Sequence, residues 1–283
     1  MFFAFNADAQ FEKDKARSRI LQIDQTEMYA DLSFEPELSS IYGSVWIDFK
    51  NVSLELDSIW IDAIKMEIQE VHLDKQDVRF KVYEKGLAVF PDSVLARDSA
   101  FRLHIAYKAY PKRGMYFLGW NDTTGLERQQ IWTQGQGIDN RHWLPHVDAQ
   151  NDKLLIGLDI NFDDRFEVIS NGKLVEKSGD FGETKWSFRM QQPMSSYLMM
   201  IAIGKYDVLE EKSKTGVPLS NYYYPDWKDR NEWTYYKSTS LFNWMENEIG
   251  VTYPWQNYKQ VPVKDFQHGA MENTTATIFG DFY

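Results

Sequence analysis

The sequence predicts a mainly β protein, with an antiparallel β domain over residues 20–205 followed by a region of α+β character over 206–283. Three observations predict this. Apolar residues recur at every second position in run after run before Tyr206, the signature of strands with one buried and one solvated face. Turn-forming residues separate those runs, and no helical period appears among them. After Tyr206 the texture changes, and a helical stripe of apolar residues enters between two further strand-like runs.

Taken in order, Met1–Phe5 is a short apolar stub, and Ala7-Asp8-Ala9 before Gln10 is a small-x-small triplet of the signal-peptidase type. Residues 1–19 are therefore expected to be disordered or the remnant of a signal peptide, a lean towards export with the cytoplasm as the alternative. Val45, Ile47 and Phe49 alternate with Trp46, Asp48 and Lys50, and the same alternation runs through Val78/Phe80/Val82 and Phe101/Leu103/Ile105/Tyr107. Leu154/Ile156/Leu158/Ile160/Phe162 and Trp186/Phe188/Met190 continue it. Asn171-Gly172, between Phe166–Ser170 and Lys173–Glu176, predicts a hairpin, because both residues tolerate positive φ. Residues 210–231 read as a polar connecting excursion. A helix is expected over Glu232–Ile249, with Trp233, Tyr236, Leu241, Trp244, Met245 and Ile249 on one stripe and Gly250 as its stop. Tyr258–Val263 and Thr275–Phe279 read as strands.

Composition excludes several functions. Asp and Glu outnumber Lys and Arg 42 to 31, a net charge of −11, the wrong sign for a nucleic-acid partner. The absence of cysteine removes disulfides, thiol catalysis and Cys-based zinc sites. The longest apolar run, Tyr197–Gly204, is too short to span a bilayer. Aromatics at 16% leave open a carbohydrate-binding module that stacks rings on sugars, although no pair of acids stands out as a glycosidase couple.

Three motifs bear on chemistry. His142 and His146 are four apart, but Pro145 lies between them and no acid follows His142, so structural histidines are the better reading than a zinc pair. Thr133-Gln134-Gly135-Gln136-Gly137 lacks the third glycine and lysine of a phosphate loop and reads as a turn that presents amides to a ligand. Gly269-Ala270-Met271-Glu272-Asn273 is an extended small-residue segment that presents a carboxylate. If its backbone edge is free, it can add a peptide as a strand while Glu272 meets a cation.

That last pentapeptide is identical to the exopeptidase motif of the M1 zinc aminopeptidases, the gluzincins that include aminopeptidase N and leukotriene A4 hydrolase. Arg113-Gly114-Met115-Tyr116-Phe117, Trp132-Thr133-Gln134-Gly135-Gln136, Arg141-His142-Trp143-Leu144-Pro145 with Asp148, Asn151-Asp152-Lys153 and Ser170-Asn171-Gly172 resemble further blocks of that family, in its order and spacing. The resemblance covers about residues 40–283. It implies a saddle-like antiparallel β domain over 20–205 and, from 206 to 283, an incomplete thermolysin-like catalytic domain. It also implies peptide substrates with a free N-terminus. Glu272 would bind the substrate's α-amine, Gly269, Ala270, Met271 and Asn273 would line the peptide, and Gln136 would reach the same pocket where many relatives carry a carboxylate. The implied cofactor is zinc, held in the family by H-E-x-x-H and a later Glu. None of the five histidines (72, 104, 142, 146, 268) begins such a motif, so no metal ligand and no catalytic residue is expected in this chain. The expectation is the substrate-recognising N-terminal part of an aminopeptidase, inactive as it stands. The alternative is a non-catalytic M1-like scaffold.

Overall fold

A computed structural model describes residues 22–179 and 182–282. The expected terminal segment 1–19 lies outside the described residues. The protein is mainly β, as its alternation predicts. The largest sheet runs in the order Lys173–Ser178, Glu183–Arg189, Lys153–Asp163, Ile23–Glu35, Ser40–Asn51, Ala100–Ala109, Met66–Leu73 and Gln76–Asp77, with Met194–Ser195 paired beside Lys153–Asp163. Neighbours pair antiparallel except Ile23–Glu35 and Lys153–Asp163, which run parallel with Met28 opposite Ile156. Two strands 120 or so residues apart have no short connection to force the antiparallel sense.

Alternation decides which face is buried. Val45, Ile47 and Phe49 of one strand and Leu103, Ile105 and Tyr107 of its neighbour face the core, where Met28, Leu32, Leu158 and Trp186 join them. The Tyr107 hydroxyl keeps a partner there by donating to the Trp143 carbonyl at 2.7 Å. Val78/Phe80/Val82 behaves otherwise. The strand Arg79–Tyr83 is the edge of a three-stranded sheet with Gly86–Phe90 and Ile59–Asp62, and Phe80 and Val82 stay exposed. The alternation is real, but no layer covers this edge strand.

The Asn171-Gly172 turn is also not the hairpin that the dipeptide predicts. Glu167–Ser170 pairs with Ile201–Gly204 in a four-stranded sheet with Gln130–Thr133 and Met115–Leu118, whereas Lys173–Ser178 pairs with Glu183–Arg189 in the large sheet. Gly172 does take positive φ, +74°. The chain uses it to pass from one sheet to another.

From Asp207 onward a five-stranded sheet forms in the order Asp207–Lys212, Pro218–Tyr223, Tyr258–Val263, Ala276–Gly280 and Ala270–Met271. The supposed polar excursion therefore contains an antiparallel hairpin, Asp207–Lys212 with Pro218–Tyr223. The helical stretch is divided into Lys228–Tyr235 and Ser238–Ile249. Ser238-Thr239-Ser240 offers the backbone side-chain partners that favour a helix start over a helix interior, and Gly250, at φ +72°, closes the second helix by donating to the Glu246 carbonyl at 3.0 Å. The apolar stripe faces solvent: Trp233, Tyr236, Leu241, Trp244, Met245 and Ile249 are all more than half exposed. No helix among the described residues is long and apolar enough to cross a membrane.

Candidate functional site: an edge strand with a free carboxylate

Ala270–Met271 is the outermost strand of the five-stranded sheet. It pairs only inward, Ala270 with Phe279 and Met271 with Ile278, so its other backbone edge is unpaired in the sheet. Gly269 enters at φ +76°, a backbone state that an L side chain rarely adopts, and its carbonyl accepts from the Gly280 amide at 2.7 Å. The side chains then alternate as a strand requires. Ala270 is exposed, Met271 is buried as an anchor, Glu272 is exposed and Asn273 is buried. Glu272 has no hydrogen bond or ion pair among the described residues, leaving a carboxylate at the open edge. Both polar side-chain atoms of Asn273 are buried without a partner, a costly state unless a further polar group completes it.

Met271 is held in an apolar cluster with Trp132, Ile169, Met200, Phe266 and Ile278. Trp132 packs edge-on against Phe266, 5.5 Å between ring centroids, and its indole N–H donates to the Lys264 carbonyl at 3.1 Å. Because Trp132 immediately precedes Thr133–Gly137, this cluster brings the glutamine loop and the edge strand into one packed region. The loop is fixed at its base. The Thr133 hydroxyl accepts from the Ile201 amide at 2.9 Å, and the Gln134 amide donates to the Gly114 carbonyl at 2.9 Å. Gly135 sits where a Cβ would come within 2.4 Å of the Asn140 amide group. Gln136 itself is exposed, and its Oε1 accepts from Gln134 Nε2 at 3.5 Å. Among the described residues no hydrogen bond joins Gln136 to Glu272.

The joint beneath the edge strand was not legible as such in the sequence. Asn171 Nδ2 donates to the carbonyls of Leu198 and Thr274, and its Oδ1 accepts from the Met200 amide. The Gly172 amide donates to Thr275 Oγ1 at 2.7 Å. Lys259 Nζ donates to the carbonyls of Ser170 and Gly172, and Asn257 Nδ2 also donates to Gly172. The Ser-Asn-Gly block was the available signal, but the partners of Asn171 and Gly172 lie between 27 and 103 residues away.

Of the histidine pair, His146 has a structural role. His146 is fully buried, with Nδ1 at 2.9 Å from the Leu144 carbonyl and Nε2 at 3.5 Å from Asp148. The zinc that the resemblance implies finds no ligand set at the edge strand: His268 is exposed, and no group of three ligating side chains among the described residues includes it or Glu272. A polar cavity of about 600 Å³ lies elsewhere, lined among others by Arg128, Asp226, Lys264 and Asp281, and holds none of the expected site residues.

The matches of the sequence to known families define a peptidase class. Residues 25–198 match the peptidase M1 N-terminal domain and residues 233–282 the peptidase family M1 domain. The chain belongs to the peptidase M1 family. It is 27% identical to glutamyl aminopeptidase of Mus musculus over 183 residues, covering 62% of this chain and 19% of that protein. Against aminopeptidase 2 of Candida albicans it is 23% identical over 273 residues, 94% of this chain and 29% of the relative. Puromycin-sensitive aminopeptidase of Caenorhabditis elegans is 24% identical over 163 residues, 57% of this chain and 17% of the relative. The chain thus spans less than a third of the length of these relatives.

Proposed function

We propose that the open edge of Gly269–Asn273 receives the N-terminus of a peptide, and that the chain is the substrate-recognising part of a zinc-dependent aminopeptidase. The observation that carries this reading is Glu272: a carboxylate with no partner among the described residues, one residue beyond a strand that has no sheet neighbour on its outer side. An extended peptide adds to such an edge through main-chain hydrogen bonds. Glu272 then meets its α-ammonium by a charge-assisted bond, stronger than a neutral one. Gln136 adds an amide from the neighbouring loop, and Asn273 supplies the buried amide that a polar substrate group completes. Residues 20–205 form the β-saddle domain in this reading, and 206–283 belong to the catalytic domain.

Binding of a short peptide with a free N-terminus, compared with the same peptide N-acetylated, tests the reading by calorimetry. The free peptide is expected to bind tighter, with the preference lost in Glu272→Gln. Equal binding of both peptides by the unaltered chain would remove the amine-anchor role.

A further inference from the structure

On the face of the large sheet turned away from the core, a single cross-strand row runs through Tyr29, Trp46, His104, His72 and Asp77, each opposite the next in register. Trp46 stacks on His104 with ring centroids 4.8 Å apart, and His104 lies nearly parallel to His72, 5.4 Å away at 8°. The His104 and His72 rings meet end to end rather than face to face: their centroid separation equals the 3.1 Å between the Nδ1 atoms plus the two centroid-to-nitrogen distances, so the two nitrogens point at each other along one line. Glu70 lies two residues before His72 on the same strand, opposite Ala106, whose small side chain leaves it room. One ligating atom from each of Glu70, His72 and His104 lies within 4.8 Å of the others. Glu70 has no hydrogen bond or ion pair of its own among the described residues.

The protons decide what this cluster is suited to hold. His72 Nε2 lies 3.0 Å from the Asp77 carboxylate, which places the ring proton on that nitrogen and leaves a lone pair on Nδ1, facing His104. A proton on His104 Nδ1 bridges the two rings but makes no use of Glu70. A cation takes both lone pairs and the carboxylate together once each ring turns its Nδ1 out of that line, in place of the proton that otherwise bridges them. Metal–imidazole bonds of about 2.0–2.1 Å at angles between tetrahedral and square separate two ligand nitrogens by about 2.9–3.4 Å, and the observed 3.1 Å falls in that range. A carboxylate behind a ligating histidine is the recurrent outer partner that orients the ring and raises its basicity. Imidazole with carboxylate suits a divalent transition ion better than the hard cations that prefer all-oxygen sites.

We propose that Glu70, His72 and His104 form a binding site for a divalent transition-metal ion, with both Nδ1 atoms and the Glu70 carboxylate as protein ligands and Asp77 orienting His72. This revises the expectation that the chain holds no metal ligand. The site bridges Met66–Leu73 and Ala100–Ala109 near one end of the large sheet, so the ion staples the outer strands. It faces partly to solvent, which leaves a coordination position for water.

Zinc chloride titrated into the metal-stripped chain at neutral pH, followed by calorimetry and by thermal melting, tests the proposal. One ion per chain and a raised Tm are expected. His72→Asn and His104→Asn are each expected to weaken binding at least about 100-fold, and Asp77→Asn about 10- to 100-fold, the range for outer partners of a metal site. Cobalt(II) is expected to give a visible ligand-field band that both histidine variants abolish. Absence of zinc uptake at millimolar concentration, or unchanged affinity in His72→Asn, would overturn the assignment. If a histidine variant fails to fold, the exposed pair Glu70→Gln and Asp77→Asn decides, and unchanged affinity in both overturns it.

Discussion

The side-chain nitrogen of Lys259 donates to the carbonyl of Gly172 at 2.6 Å, across 87 residues of chain. A second bond, to the Ser170 carbonyl at 2.9 Å, fixes it at the junction of the strand Tyr258–Val263 with the turn between two sheets of the β region. Lys259 is only 5% exposed, and burial pushes its ammonium down to about 7.

That depression makes stability depend on pH with a definite sign. The unfolded lysine keeps its proton to about pH 10.4, so between about 7 and 10.4 the unfolded chain binds more protons and stability rises with pH. Below about pH 7 both states are charged and the group adds no slope. The rise across the window is on the order of 5 kcal/mol at about 1.4 kcal/mol per unit. Denaturant unfolding at several pH values, compared between the unaltered chain and Lys259→Met, is expected to show this slope only in the former.

Asn171→Ala removes two donated bonds and leaves the Met200 amide buried without its acceptor. A loss of about 2–3 kcal/mol is expected, dominated by the stranded amide. Asn171→Asp retains that acceptor and discards the two donors. Urea midpoints that rank Asp above Ala would identify the amide as the larger part, and the reverse order would place it in the bonds to Leu198 and Thr274.

Gly172 and Gly137 both have positive φ, +74° and +85°, but their surroundings differ. A Cβ at Gly172 would lie 2.4 Å from the Arg189 carbonyl oxygen, whereas at Gly137 it meets nothing within 4 Å. Gly137→Ala is expected to cost about 1–2 kcal/mol, the strain of a left-handed backbone alone. Gly172→Ala adds a collision with backbone that has nowhere to move, so its thermal midpoint should fall markedly further. Equal shifts would mean that the sheets separate to admit the methyl group.

In an active aminopeptidase containing this chain, Glu272→Gln is expected to lower kcat/KM by roughly 10- to 150-fold on substrates with a free N-terminus. This corresponds to losing a charge-assisted bond of about 1.5–3 kcal/mol. Gln136→Ala is expected to cost less, since a neutral amide contributes about 0.5–1.5 kcal/mol. Steady-state kinetics on an aminoacyl-arylamide gives the ranking. A larger loss from Gln136→Ala would move the amine anchor to the glutamine loop.

How much was legible differs from residue to residue. Asn171-Gly172 carried a true local message, the positive φ at Gly172, and a misleading one, a hairpin. The dihedral preference belongs to the residue, but the choice of partner strand belongs to the sheets that Glu167–Ser170 and Lys173–Ser178 join. Phe80 and Val82 alternate as buried residues do, yet lie on an uncovered edge, because alternation records which side chains share a face and not whether a second layer packs on it.

The order of residues by itself determined the mainly β character, the helix stop at Gly250 and the alternation of buried Met271 with exposed Glu272, since each follows from dihedral preference or side-chain period within a few positions. Only the tertiary structure decided that Ala270–Met271 is an outermost strand, that Lys259 reaches the carbonyls on either side of Asn171, and that His72 and His104 face each other across two strands. Those facts depend on sheet order and register, set by burial summed over the whole core, and no spacing along the chain encodes them.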